Sequence, residues 1–98
     1  MSRETIKPTL VTKESVPSLH FPNGDVLTSE EALQNRRRSL EQAIKLGNNQ
    51  KRKVKIIFED ADGIKKTETT IWGITDRSIL LKAGVRIPIE RIHSVSPY

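Results

Sequence analysis

From Val54 onward the chain reads with a period of two, and that alternation constrains the fold more than any other feature. Val54, Ile56 and Phe58 alternate with Lys53, Lys55 and Ile57, which marks a strand with one buried face. Asp60-Ala61-Asp62-Gly63 then supplies a hairpin turn, and a second strand is expected from about Ile64 to Gly73. Its Thr67, Thr69, Thr70, Ile71 and Trp72 are strand formers. Thr75-Asp76-Arg77 turns the chain into Ser78–Lys82, and Ala83-Gly84 turns it again into Val85-Arg86-Ile87. Pro88 cannot donate to a ladder, so Pro88-Ile89-Glu90-Arg91 is expected to form a tight 3₁₀-like turn before a last strand, Ile92–Val95. Five short strands at this spacing predict a small antiparallel barrel, a closure that would also remove exposed sheet edges. An open meander with a helix on one face is the alternative.

A helix precedes the strands. Thr28-Ser29-Glu30-Glu31 fits a capping box, with the Thr28 hydroxyl as cap and Glu31 reaching back. Ala32, Leu33, Leu40, Ala43, Ile44 and Leu46 give one narrow apolar stripe, and Gly47 is expected to stop the helix. The expectation is therefore a mainly β protein: an N-terminal helix followed by a small five-stranded antiparallel barrel over residues 28–98. Residues 1–20 are rich in Thr, Ser, Lys, Glu and Pro without a sustained period. Residues 1–27 as a whole read as a flexible or loosely docked arm whose Phe21 and Val26-Leu27 would clip its turn onto the domain. Asn23-Gly24 within it is a turn signal.

The 98 residues carry a net charge of +5, and its location matters more than its size. Between Arg36 and Lys55 stand eight basic residues and one acid, Glu41, while the rest of the chain is neutral or slightly acidic. Arg36, Arg37, Arg38, Lys45, Lys51, Arg52, Lys53 and Lys55 are thus candidates for contact with phosphates, since each neutralised phosphate releases condensed counterions. A solvated helix face and a charged strand entrance explain the same residues without a ligand. Trp72, the one tryptophan, is expected in the core or against the helix; exposed, it would stack on a base or fill a partner's pocket.

Catalytic and metal templates are missing. There is no cysteine, and His20 and His93 are too few and too distant for a zinc site. Asp60 and Asp62 lack the remaining ligands of a calcium loop and belong to the hairpin turn. Ser78, Ser94 and Ser96 sit in no nucleophile elbow, and Gly63, Gly73 and Gly84 form no phosphate loop. The expectation is a non-enzymatic chain with no cofactor, no metal and no small-molecule substrate. No stretch approaches the roughly 18 apolar residues of a membrane span, so a soluble cytoplasmic protein is expected, with no membrane partner.

A helix followed by five strands is also the element order of the Sm-like barrels. Lys53–Phe58, Gly63-Ile64-Lys65, Ile79-Leu80-Leu81-Lys82 and Ile92–Pro97 resemble the corresponding pieces of the bacterial Sm-like RNA chaperones, over roughly Leu40 to Pro97. The same pattern resembles SH3-like barrels and short uncharacterised bacterial proteins. The resemblance implies the barrel fold. It does not carry over the chaperones' uridine pocket, because Ile89 and Glu90 stand where that family has a Lys-His pair. Thr75-Asp76-Arg77 also lacks its stacking aromatic. Function then rests on the residues themselves, and two classes follow. One is a module that binds a protein partner or its own copies; the other is an adaptor that holds RNA or DNA on the Arg36–Lys55 junction.

Overall fold

The structure, a computed structural model, describes residues 7–97. Its single long helix, α1, spans Glu30–Gln50. Ser29, one residue later than expected, is the cap: its Oγ accepts from the Ala32 N–H at 3.1 Å. That frame puts Glu30 and Glu31 at the first two helical positions, where the positive end of the helix favours them. Gly47 does not end the helix. The chain continues for another turn to Gln50, and Lys51 adopts the left-handed cap conformation (φ 53°) with its N–H on the Gly47 carbonyl. Gly47 is needed for a different reason, since a Cβ there would overlap the Ile71 carbonyl oxygen and press on the Thr70 methyl.

The described residues form seven strands, one before α1 and six after it: β1 (Thr9–Leu10), β2 (Val54–Asp60), β3 (Gly63–Thr69), β4 (Ile71–Ile74), β5 (Ser78–Leu81), β6 (Arg86–Pro88) and β7 (Ile92–Pro97). They form two sheets, one ordered β1-β3-β2-β7 and the other β4-β5-β6. The long second strand of the sequence reading is split at Thr70, where the chain leaves the first sheet and enters the second. A register shift between Ile71 and Gly73 marks the entry. Residues 89–91 form the expected 3₁₀ turn and carry the chain back to the first sheet. No ladder joins β6 to β7 among the described residues, so the strands do not close into a barrel.

The alternation read from the sequence sets the core. Val54, Ile56 and Phe58 point inward from β2, and meet Ile71, Ile79, Leu81, Ile87, Ile92 and Val95 from the other strands. Leu40 and Ala43 of α1 complete it from one side. Each of the Val, Leu, Ile and Phe side chains among them contributes about 1.5–3 kcal/mol by leaving water. Asp60 holds the β2–β3 turn, accepting at Oδ1 from the Asp62 and Gly63 N–H groups and from Lys65 Nζ. Burial opposes its charge, but those donors outweigh it and keep the carboxyl below its ordinary value of 3.8.

The segment read as a flexible or loosely docked arm joins the domain from Thr9 onward. β1 pairs in parallel with β3, Val16 is buried, and Phe21 lies 6.0 Å from Phe58 between ring centroids. Three isolated apolar residues too far apart to show a period (Val16, Leu19 and Phe21) pack on one small core. Met1 to Ile6, the first part of that arm, lies outside the described residues, as does Tyr98. No helix among the described residues is long and apolar enough to cross a membrane.

Candidate functional site

The eight basic residues do not share one surface. Arg36 is only 8% exposed. Its guanidinium donates to both Asp25 oxygens, at 2.9 and 2.7 Å, and to the Ile92 carbonyl at 3.0 Å. The Arg36 hydrogen bonds hold the Asp25 carboxyl below its ordinary value of 3.8, against some desolvation. Arg36 is thereby withdrawn from any phosphate. It clips the Asn23–Asp25 turn onto the core, and Arg91 does the same from the other side, donating to the Gly24 and Glu59 carbonyls. Neither role was legible from local sequence, because the partners lie 11 to 67 residues away.

Arg37 and Arg38 are exposed on the first half of α1, among carboxylates. They line an open groove of about 850 Å³ between α1 and the β4–β5 turn. Its floor is apolar: Leu33, Leu40 and Ile44 from the helix, Ile74 from β4 and Ile89 from the 3₁₀ turn. Glu30, Glu41 and Asp76 complete the rim. Ile74 is 47% exposed, a large aliphatic side chain left open to solvent. None of Arg37, Arg38, Glu30, Glu41 and Asp76 is in an ion pair among the described residues.

Lys51, Arg52 and Lys53 are exposed at the other end of α1, about 21 Å along the axis from Arg37. Lys45 is exposed two residues from Gly47, hence about 200° round the helix from the face that meets β4. Lys55 is half-buried on β2 and stands opposite Glu68. The cluster that is contiguous in sequence thus divides into a structural arginine, a mixed-charge groove and a carboxylate-poor corner.

Trp72 is 55% exposed, so it is not in the core. It stands on the strand face opposite the buried Ile71, beside the register shift at Ile71/Gly73, and of the two placements considered the outward one is found. His93 is half-buried with Nε2 2.8 Å from Glu59 Oε1, and His20 is an exposed residue whose carbonyl accepts from the Ala61 N–H. Comparison with family models, with curated proteins and with solved structures finds no match for this chain.

Proposed function

We propose that the chain is a small non-enzymatic interaction module that works by protein contact, pairing with a second copy of itself through the α1 groove. The observation that carries this reading is the groove's composition: an apolar floor that leaves Ile74 exposed and Leu33, Ile44 and Ile89 half-buried, with unpaired charges of both signs on its rim. A two-fold contact places the same patch against itself, so it must be self-complementary. A rim of Arg37 and Arg38 with Glu30, Glu41 and Asp76 meets that condition, whereas a rim of one sign would repel its copy. Such a partner would also cover Ile74, the kind of exposed apolar residue that marks contact surfaces when it lies in a larger patch.

In this reading the two sheets are the halves of an opened five-stranded barrel of the Sm-like or SH3-like kind. The corner at Thr70 joins them on one side and the 3₁₀ turn at residues 89–91 on the other. A second reading, contact with nucleic acid, is not favoured by the groove, where three carboxylates stand among the arginines.

Sedimentation velocity over a wide concentration range tests the proposal. The wild-type protein is expected to shift from monomer to dimer as concentration rises. Ile74→Glu, which puts a charge into the apolar seam, should hold it monomeric while leaving its circular dichroism unchanged. A protein that stays monomeric at every concentration overturns the reading.

A further inference from the structure

The opposite end of α1 carries a surface of different character. Gly47 packs on the Ile71 carbonyl and against the Thr70 side chain, which brings the helix end to the corner between the two sheets. The backbone N–H groups of Lys51 and Arg52 bond back to the carbonyls of Gly47 and Leu46, fixing the link that follows the helix against that corner. In the β2–β3 ladder Val54 is opposite Thr69, so Lys53 comes next, level with Thr70. In the β4–β5 ladder Ile71 is opposite Leu81, so Lys82 continues on that same Thr70 side. Trp72 is two residues from Thr70, within about 7 Å along the backbone. Four cations and the one tryptophan therefore gather round a single corner.

All five side chains are exposed, and the four cations make no ion pair among the described residues. The adjoining residues Asn48, Asn49 and Gln50 are exposed amides. Glu68, the carboxylate closest in sequence to Thr70, stands opposite Lys55 and 4.0 Å from Lys66 instead. Among the described residues the corner thus presents positive charge without interleaved carboxylates, and beside it an indole exposed on the strand face opposite the buried Ile71. Cations that follow a phosphate chain, with an aromatic face on which an unpaired base can stack, are the two elements of single-strand binding. A duplex offers the phosphates but keeps its bases stacked within itself.

We infer that Lys51, Arg52, Lys53, Lys82 and Trp72 form a binding site for single-stranded nucleic acid, with the cations on phosphates and Trp72 stacked on a base. The site is separate from the α1 groove and does not rest on self-association. Lys82 belongs to it although it lies outside the basic run, and Arg36 and Lys45 do not.

Because Trp72 is the only tryptophan, its own fluorescence reports the contact. The full chain is titrated with a uridine oligonucleotide, a thymidine oligonucleotide and a mixed-sequence duplex, each at several salt concentrations, with heparin as a polyanion lacking bases. Both single strands should quench Trp72; whichever binds tighter identifies RNA or DNA as the source. The affinity should fall with salt at a log–log slope near −0.7 per phosphate contact, approaching about −3 if all four cations engage. Lys51→Glu with Lys53→Glu should abolish quenching, and Trp72→Ala, read by anisotropy of a labelled strand, should weaken binding about tenfold or more. Trp72→Phe should recover much of that loss. Ile74→Glu should leave quenching as it is, so loss of the dimer and loss of this site are told apart. Absence of binding, binding without quenching, equal affinity for the duplex, or indifference to the double charge reversal overturns the inference.

Discussion

At the Asp25 end of the basic run, Arg36 has both oxygens of a carboxylate and a backbone carbonyl as partners and is nearly removed from water. At its far end, Lys51, Arg52 and Lys53 stand in solvent with no carboxylate partner among the described residues. The two groups belong to one cluster in the sequence, and their chemistry as cations is similar. What separates them is the helix. Its first half faces a loop that supplies Asp25, and its last turns pack on Thr70 and the Ile71 carbonyl. A planar guanidinium suits the first setting, because it can fork across a carboxylate and still reach a carbonyl. Charge in the first place holds the fold; charge in the second is available to a partner.

That contrast is broken most severely by removing Asp25. Asp25→Ala leaves a buried guanidinium with the Ile92 carbonyl as its one partner, and should destabilise the protein by about 3 kcal/mol in a denaturant titration. If the loss were no larger than that of an ordinary surface change, Arg36 would be no more structural than Lys53.

Gly47→Ala comes next. Alanine improves the helix by about 1 kcal/mol, but its methyl group meets the Ile71 carbonyl oxygen, a backbone atom that cannot swing aside. A net loss of about 2 kcal/mol is expected, together with displacement of β4. Amide exchange would locate it: protection should fall at Ile71 and at the helix end before it falls in β2. An alanine that stabilises the protein would show that the corner is loose, and with it the placement of Trp72 beside Lys53.

Acid provides the third comparison. Asp25 and Asp60 both titrate below their ordinary value of 3.8 when folded, so the stability that each contributes is complete above that value and is lost as pH falls through the lower folded value. Denaturant midpoints should therefore be flat near neutrality and decline below about pH 4. Asp25→Asn should shallow that decline, whereas replacing Lys51 or Lys53 should not alter it.

How much of this was written in the sequence depends on the range over which each residue is decided. The strands from Val54 to Val95 were legible, because alternation and turn chemistry act within a few residues. Their break at Thr70 was not. Thr67, Thr69 and Ile71 are all buried, so the alternation runs through the corner without a mark. Gly47 was conspicuous as a glycine, but its cause is a carbonyl more than twenty residues later. Arg36 looked like its neighbours Arg37 and Arg38 because its partner lies in a loop eleven residues before it. Trp72 was favoured inside or against the helix, but it is out of phase with Thr67, Thr69 and Ile71, and the alternation that buries those three turns it outward. In the arm Phe21 was legible as an anchor beside a turn, whereas Val16 gains meaning only from the core it reaches.

The smallest expected effect is the most informative about the corner. Lys51→Met with Lys53→Met removes two exposed charges and keeps comparable side-chain length, so stability should change by no more than about 0.5 kcal/mol in either direction. Mutual repulsion among Lys51, Arg52, Lys53 and Lys82 falls in the variant, which favours a slight gain at low ionic strength. Salt should erase that gain, because it screens the same repulsion in the wild-type protein. A stability difference between wild type and variant that shrinks as salt is added would show that the cations lie close enough to feel one another. A difference that salt does not touch would mean that they project apart, and a phosphate chain would then have no continuous track to follow past Trp72.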